Sequence, residues 1–133
     1  MKLFDKFFKE SASKEFSIEK NKEFVWIAIE TGQILKEILE KSEETLQVIY
    51  KHSTSCGISS MVLRKFQQAH IMNQDKAAYY LLDLLANRAI SNEVSVVFGV
   101  QHQSPQLLII KDGGVVAHYS HYEILQANIL DFI

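Results

Sequence analysis

The chain holds a single cysteine, Cys56, inside Lys51-His52-Ser53-Thr54-Ser55-Cys56-Gly57-Ile58-Ser59-Ser60. The segment follows an apolar, β-branched run and opens a helical pattern. A thiol at a helix start meets free backbone N–H groups and the positive end of the helix dipole, which favour thiolate over thiol. The thiolate is the nucleophile of thiol–disulfide exchange. Most lone cysteines are inert and buried, but the polar flank of His52, Ser53, Thr54 and Ser55 argues for a reactive one. Ser59 lies one helical turn on. Its hydroxyl either donates a hydrogen bond back to the sulfur or bonds the cap region. A serine there also means that no second thiol can resolve a product. Any disulfide of Cys56 must join another molecule.

Other polar side chains carry weaker signals. His52 and His102 either flank the sulfur, where a protonated ring would stabilise the thiolate, or serve as turn hydrogen bonders. His118 and His121 lie on different elements from Cys56 without a ligand spacing, so no metal site is expected. Lys51 ends a strand and either favours an anionic ligand or is plainly solvated. Pro105 is the only proline. It opens a buried-looking strand, where its missing N–H does no harm.

Several elements must position these groups. Phe24 to Ile29 reads as a strand, Thr31 caps a helix to about Ser42, and Thr45 to Tyr50 is a second strand. A helix follows from Cys56 or Gly57, with Ile58, Val62 and Phe66 spaced by four and Met61 alongside. Ala78 to Leu84 is a third strand. Ile90, Val94, Val97 and Phe98 form a helical stripe behind a Ser91 cap. Leu107 to Ile110 and Val115 to Tyr119 flank Lys111-Asp112-Gly113-Gly114 as a hairpin. Glu123 to Phe132 reads as a closing helix. Alternating strands and helices imply parallel pairing, and the hairpin adds antiparallel strands. The expected class is α/β, a mixed sheet flanked by helices on both faces.

Residues 1–21 differ from the rest. Leu3, Phe4, Phe7 and Phe8 make an amphipathic stripe, and a polar linker follows. The stripe is either a docking helix for a partner or membrane surface, or a short helix packed on its own domain. Residues 22–133 form the domain proper. A length of 133 residues suits one core. The single cysteine excludes a disulfide scaffold and a multi-thiolate zinc site. Net charge −2 argues against a nucleic-acid binder. The longest apolar run, Phe24 to Ile29, is too short to span a membrane, and no signal peptide is evident. A cytoplasmic location is expected.

The Lys51–Ser60 segment resembles the active-site segment of the YtxJ family, the monothiol bacilliredoxins, which reads Lys-His-Ser-Thr-x-Cys-x-Ile-Ser after a strand. Ser91-Asn92-Glu93, Phe98-Gly99-Val100, His102-Gln103-Ser104-Pro105-Gln106, Ser120-His121 and Trp26 are similar to its pattern too. The similarity spans about residues 24 to 126. Arg88-Ala89-Ile90 departs from the Arg-Pro common in the family. The resemblance implies a thioredoxin-like fold with a four- to five-stranded mixed sheet. It implies Cys56 and Ser59 as catalytic residues, and His52, Thr54, Gly57, Ser104 and Pro105 around the substrate. It also implies a cis Pro105 facing the cysteine, exposing the Ser104 backbone to a substrate chain. The implied activity is removal of bacillithiol from mixed disulfides on cytosolic proteins. Bacillithiol is then a co-substrate, with no cofactor, and the partners are bacillithiolated proteins and a low-molecular-weight thiol.

Two alternatives stand beside this. Cys56-Gly57-Ile58-Ser59 is one residue from the Cys-Gly-Phe-Ser motif of monothiol glutaredoxins, which hold an iron–sulfur cluster. Their Trp-Pro-Thr segment is absent, and Gly113-Gly114 sits in the hairpin turn instead of their late Gly-Gly-x-Asp. The other alternative is a binding module that uses the same groove without turnover.

Overall fold

The computed structural model describes residues 23–133. The expected amphipathic segment and linker at residues 1–21, and the boundary that follows them, lie outside the described residues. The elements are β1 (Ile27–Ala28), α1 (Gln33–Lys41), β2 (Gln47–His52), α2 (Gly57–His70), a 3-10 stretch (Ile71–Lys76), β3 (Ala78–Asp83), α3 (Arg88–Phe98), β4 (Gln106–Lys111), β5 (Gly114–Ser120) and 3-10 turns at His121–Gln126 and Ile129–Phe132.

The strands form one sheet in the order β1-β3-β2-β4-β5. β3 pairs in parallel with β1 and β2, while β4 runs antiparallel to β2 and β5. β2 has a strand on either side and helices over both faces, so all six of its residues are buried. One face carries Ile49, Leu82, Leu108 and Ile110 against Leu35 and Ile38 of α1 and Ile90, Val94 and Phe98 of α3. The other carries Val48, Tyr50, Tyr79, Leu107 and Ile109 against Val62 and Phe66 of α2 and Ile124 and Ile129 of the C-terminal turns. The β4–β5 turn is Asp112-Gly113, with φ of 52° and 83°. Positive φ at both central residues is what a two-residue hairpin loop of type I′ requires.

Several elements depart from the pattern expected of them. β1 is only Ile27–Ala28, and the residues before it bond away from the sheet while the Ile29 amide still donates to Leu81 O of β3 at 3.0 Å. The Val25 amide donates to Gln74 Oε1 at 2.6 Å, and Trp26 Nε1 donates to Gln67 Oε1 at 2.6 Å. Phe24 and Trp26 pack against Phe66 and Tyr79, joining this segment to α2 instead of extending the sheet.

Helix starts differ as well. Thr31 does not cap α1, which begins after Gly32 without a side-chain cap. Ser91 does not cap α3, which begins one turn earlier at Arg88. Asp83 organises that start, accepting from the Leu85 amide at 3.0 Å and the Ala86 amide at 3.4 Å. Ile58 and Val97, read as buried stripe residues, are 42% and 38% exposed.

The closing helix expected over Glu123 to Phe132 is two 3-10 turns separated by extended backbone at Ala127 and Asn128. Asn128 accepts from the Leu130 amide at 3.1 Å, a local bond that competes with a continuing helix. The Ile129 amide instead donates to His70 Nε2 at 3.3 Å.

Candidate active site

Cys56 stands at the start of α2 with extended φ and ψ of −105° and 116°. Its carbonyl accepts the first helical bond, from the Ser60 amide at 3.1 Å, and its own amide donates to Ser53 O at 3.1 Å. This closes the turn Ser53–Cys56 between β2 and α2. The thiol is therefore held at the positive end of a 14-residue helix, half-buried. A methyl placed on Gly57 would meet nothing within 4 Å, so the space beside the thiol is open. Thr54, Gly57 and Ile58 are exposed around it.

Ser59 is fully buried. Its Oγ lies 2.7 Å from His52 Nδ1 and accepts from the Ser53 amide at 3.1 Å. Its carbonyl accepts from Tyr50 Oη at 2.9 Å. Of the two expectations for this hydroxyl, the contacts formed are those of the cap region. The bond ties the first turn of α2 to the end of β2. Burial pushes the Tyr50 hydroxyl up to about 12, against the lowering by its Ser59 bond, and the nearby Cys56 charge adds to the rise. Tyr50 therefore stays a neutral donor beneath the thiol.

The histidines are not the cations one expectation required. Burial lowers His52 below its ordinary value, opposed by Asp83. His102 is lowered by burial and then by the Lys51 charge. Both shifts favour the neutral ring, which works against either ring supplying the positive charge that would stabilise a thiolate. His52 serves instead as the buried neighbour of Ser59, and His102 sits at the rim of a cleft beside Ser104.

Lys51 is the largest surprise. A plainly solvated lysine is contradicted by its side chain, which is fully buried on the α1/α3 face. Its neighbours in the sheet are Leu82 and Gln106. Nζ donates to Gln106 Oε1 at 3.2 Å, and burial lowers its pKa to about 8. Gln106 in turn donates to Gln101 O at 3.0 Å. No sequence signal distinguished Lys51 from a strand-end lysine. Its burial follows from β2 being the central strand to its last residue.

The Ser104–Pro105 peptide is cis. Pro105 is buried and leads into β4, whose first residue, Gln106, pairs with Lys51 of β2. The loop carrying Cys56 and the loop carrying Ser104 and Pro105 therefore leave the same end of the sheet on neighbouring strands. His118 and His121 belong to β5 and the turn after it. Among the described residues no group of three His, Cys, Asp or Glu side chains is gathered as a metal site. Nor is any helix among them long and apolar enough to cross a membrane.

A model of the family described as monothiol bacilliredoxin BrxC matches residues 27–129, which take in the whole site. The chain belongs to the monothiol bacilliredoxin family. Solved structures similar to it include a putative oxidoreductase with a thioredoxin fold and several thioredoxins. That of Malassezia sympodialis is 22% identical with a TM-score of 0.64, covering 80% of this chain and 90% of its own. That of Fasciola hepatica is 18% identical with a TM-score of 0.62, covering 80% and 94%. At such identities the likeness establishes the thioredoxin fold. The mixed five-stranded sheet, the cis proline before β4 and the helix-capping cysteine are the parts of that fold used here. Family and fold make this bacilliredoxin a thiol oxidoreductase with one cysteine.

Proposed function

We propose that this protein removes bacillithiol from mixed disulfides on cytosolic proteins. The observation that carries the reading is a half-buried Cys56 at the start of α2 with a serine, Ser59, one turn later. A second thiol at that position would resolve the product within the chain, and a serine cannot.

The Cys56 thiolate attacks the bacillithiol sulfur of the mixed disulfide. A Cys56–bacillithiol S–S bond forms, the substrate S–S bond breaks, and the protein sulfur leaves with the electron pair and is protonated. An external low-molecular-weight thiol then attacks the Cys56 adduct. It takes the bacillithiol into a new disulfide and returns Cys56 to the thiol, so the substrate's reduction is matched by oxidation of that thiol. Thr54 and Gly57 are exposed beside the thiol, on the side where the substrate would lie, and the Ser104-Pro105 loop enters β4 at the same end of the sheet. His52 holds Ser59, and Ser59 holds the turn. The test is mass spectrometry of wild-type protein and Cys56→Ala with a bacillithiolated protein. Wild type should release the free protein thiol and gain one bacillithiol, and Cys56→Ala should do neither. Equal release by both would overturn the reading.

A further inference from the structure

A cleft of about 420 Å³ opens beside the Cys56 turn, lined on its polar side by Ser53, Arg88, Ser91, Asn92, His102 and Ser104. That is the size of a small-molecule pocket. We propose that it holds the carboxylate-bearing part of a low-molecular-weight thiol whose sulfur reacts at Cys56. The proposal rests on the reading of Cys56 as a thiol-exchange nucleophile, and adds where the small thiol is recognised and by what chemistry.

Its charge points one way. Arg88 is the formal cation among the lining residues, and no carboxylate among the described residues lines the cleft. Of the carboxylates nearest in sequence, Asp83 lies behind the lining with its charge acting on His52, and Glu93 faces away. Asp83 accepts from the Leu85 and Ala86 amides, and Glu93 lines a separate hollow with Gly32, Gln33 and Lys36. Buried Lys51 acts on His102 at the rim, so a second positive charge bears on the same space.

Its hydrogen-bonding groups point the same way. Ser104 Oγ is buried with no partner among the described residues, an arrangement that leaves a polar group to be met by a ligand. Ser91, 4% exposed, lines the cleft instead of capping α3. α3 starts at Arg88 with no side-chain cap on its first amides, so this end of the helix adds N–H donors. Hydroxyls, amides and a guanidinium without a competing carboxylate form a carboxylate-binding set. Ser53 joins this cleft to the reaction, since its carbonyl holds the Cys56 amide at 3.1 Å. A thiol whose carboxylates occupy the cleft has its sulfur at the mouth of the Cys56 turn.

The test compares the rate of Cys56 with glutathione disulfide, which carries carboxylates, and with bis(2-hydroxyethyl) disulfide, which does not. In Arg88→Ala the ratio of the two rates should fall about tenfold, as expected for one lost charge-assisted hydrogen bond. It should fall further in Arg88→Glu, and added salt should lower the wild-type ratio. Arg64→Ala removes an exposed cation of α2 outside the cleft and should leave the ratio unchanged. Separately, S-methylglutathione, which has no reactive sulfur, should shift the amide resonances of Ser53, Asn92 and Ser104 in Cys56→Ala. Those shifts should be lost when Arg88→Glu is added. A ratio within about twofold of wild type in both Arg88 variants, or unmoved cleft amides, overturns the proposal while leaving thiol exchange intact. Wild-type protein inert to both disulfides overturns the exchange reading and the proposal with it.

Discussion

His52 Nδ1 and Ser59 Oγ lie 2.7 Å apart, and the Ser53 amide donates to the same oxygen at 3.1 Å. The contact joins the last residue of β2 to the first turn of α2 across the loop that carries Cys56. Removing the hydroxyl leaves the Ser53 amide and the His52 ring without their partner in a buried place. Ser59→Ala should therefore lower stability by about 1–3 kcal/mol, measured by urea unfolding. The rate of Cys56 should fall by less than about tenfold, because the helix terminus that favours the thiolate remains. Ser60→Ala, at an exposed position, should change neither; an equal loss there would refute the assignment.

Lys51 sets stability against function. A buried ammonium with its pKa lowered to about 8 is still mainly charged at pH 7, and burial makes that charge less stable in the folded chain than in the unfolded one. Lys51→Met keeps an unbranched stem in the same space and removes the charge. Stability at pH 7 should rise by about 1–3 kcal/mol, as when other buried charges are replaced by apolar side chains. The rate with glutathione disulfide should fall relative to the neutral disulfide. A destabilised variant in urea unfolding would show that the Gln106 bond outweighs the buried charge.

His70 makes the fold sensitive to acid. Its ring is buried against Phe66, with Nδ1 donating to Phe66 O at 3.1 Å and Nε2 accepting from the Ile129 amide at 3.3 Å. Protonating Nε2 would set two donors against each other. Burial lowers the folded pKa below its ordinary value of 6.5, with the Phe66 bond opposing, and His52 is shifted in the same direction. The unfolded chain then binds more protons between the folded pKa and 6.5. The contribution is fully present above pH 6.5 and is lost as pH falls toward the folded value. Urea midpoints should drop from pH 7.5 to pH 5.5, with the Ile129 amide losing exchange protection first. Unchanged midpoints would rule out the neutral ring as a stability determinant.

Ile58 is 42% exposed two residues from the thiol, where an incoming protein chain would meet it. Ile58→Asp should slow Cys56 with protein mixed disulfides about fivefold or more while changing the rate with bis(2-hydroxyethyl) disulfide by less than twofold. Equal slowing of both would place Ile58 in the structure of the helix start rather than in docking.

Local chemistry determined much of this molecule. Cys56 could be placed at a helix start because a β-branched run, a polar break and a spaced apolar stripe follow one another within a short stretch. The hairpin was readable from Lys111-Asp112-Gly113-Gly114 between two apolar runs, and the structure narrows the loop to Asp112-Gly113 with Gly114 already in β5. The alternation of strands and helices implied a mixed sheet without any knowledge of which strands touch. Tertiary structure decided whatever depended on neighbours distant in sequence. Lys51 is buried because β3 and β4 close on both sides of β2 up to its end. Ile58 is exposed because α2 turns that edge toward the open site, although its spacing matches Val62 and Phe66. The C-terminus breaks into two turns because Ile129 answers a histidine on α2. The cleft of Arg88, Asn92, His102 and Ser104 draws on two connections that only the sheet brings together. Periodicity reports which side of an element is apolar; which neighbour covers that side, and where a polar group is left facing an empty space, is settled only when the strands take their order.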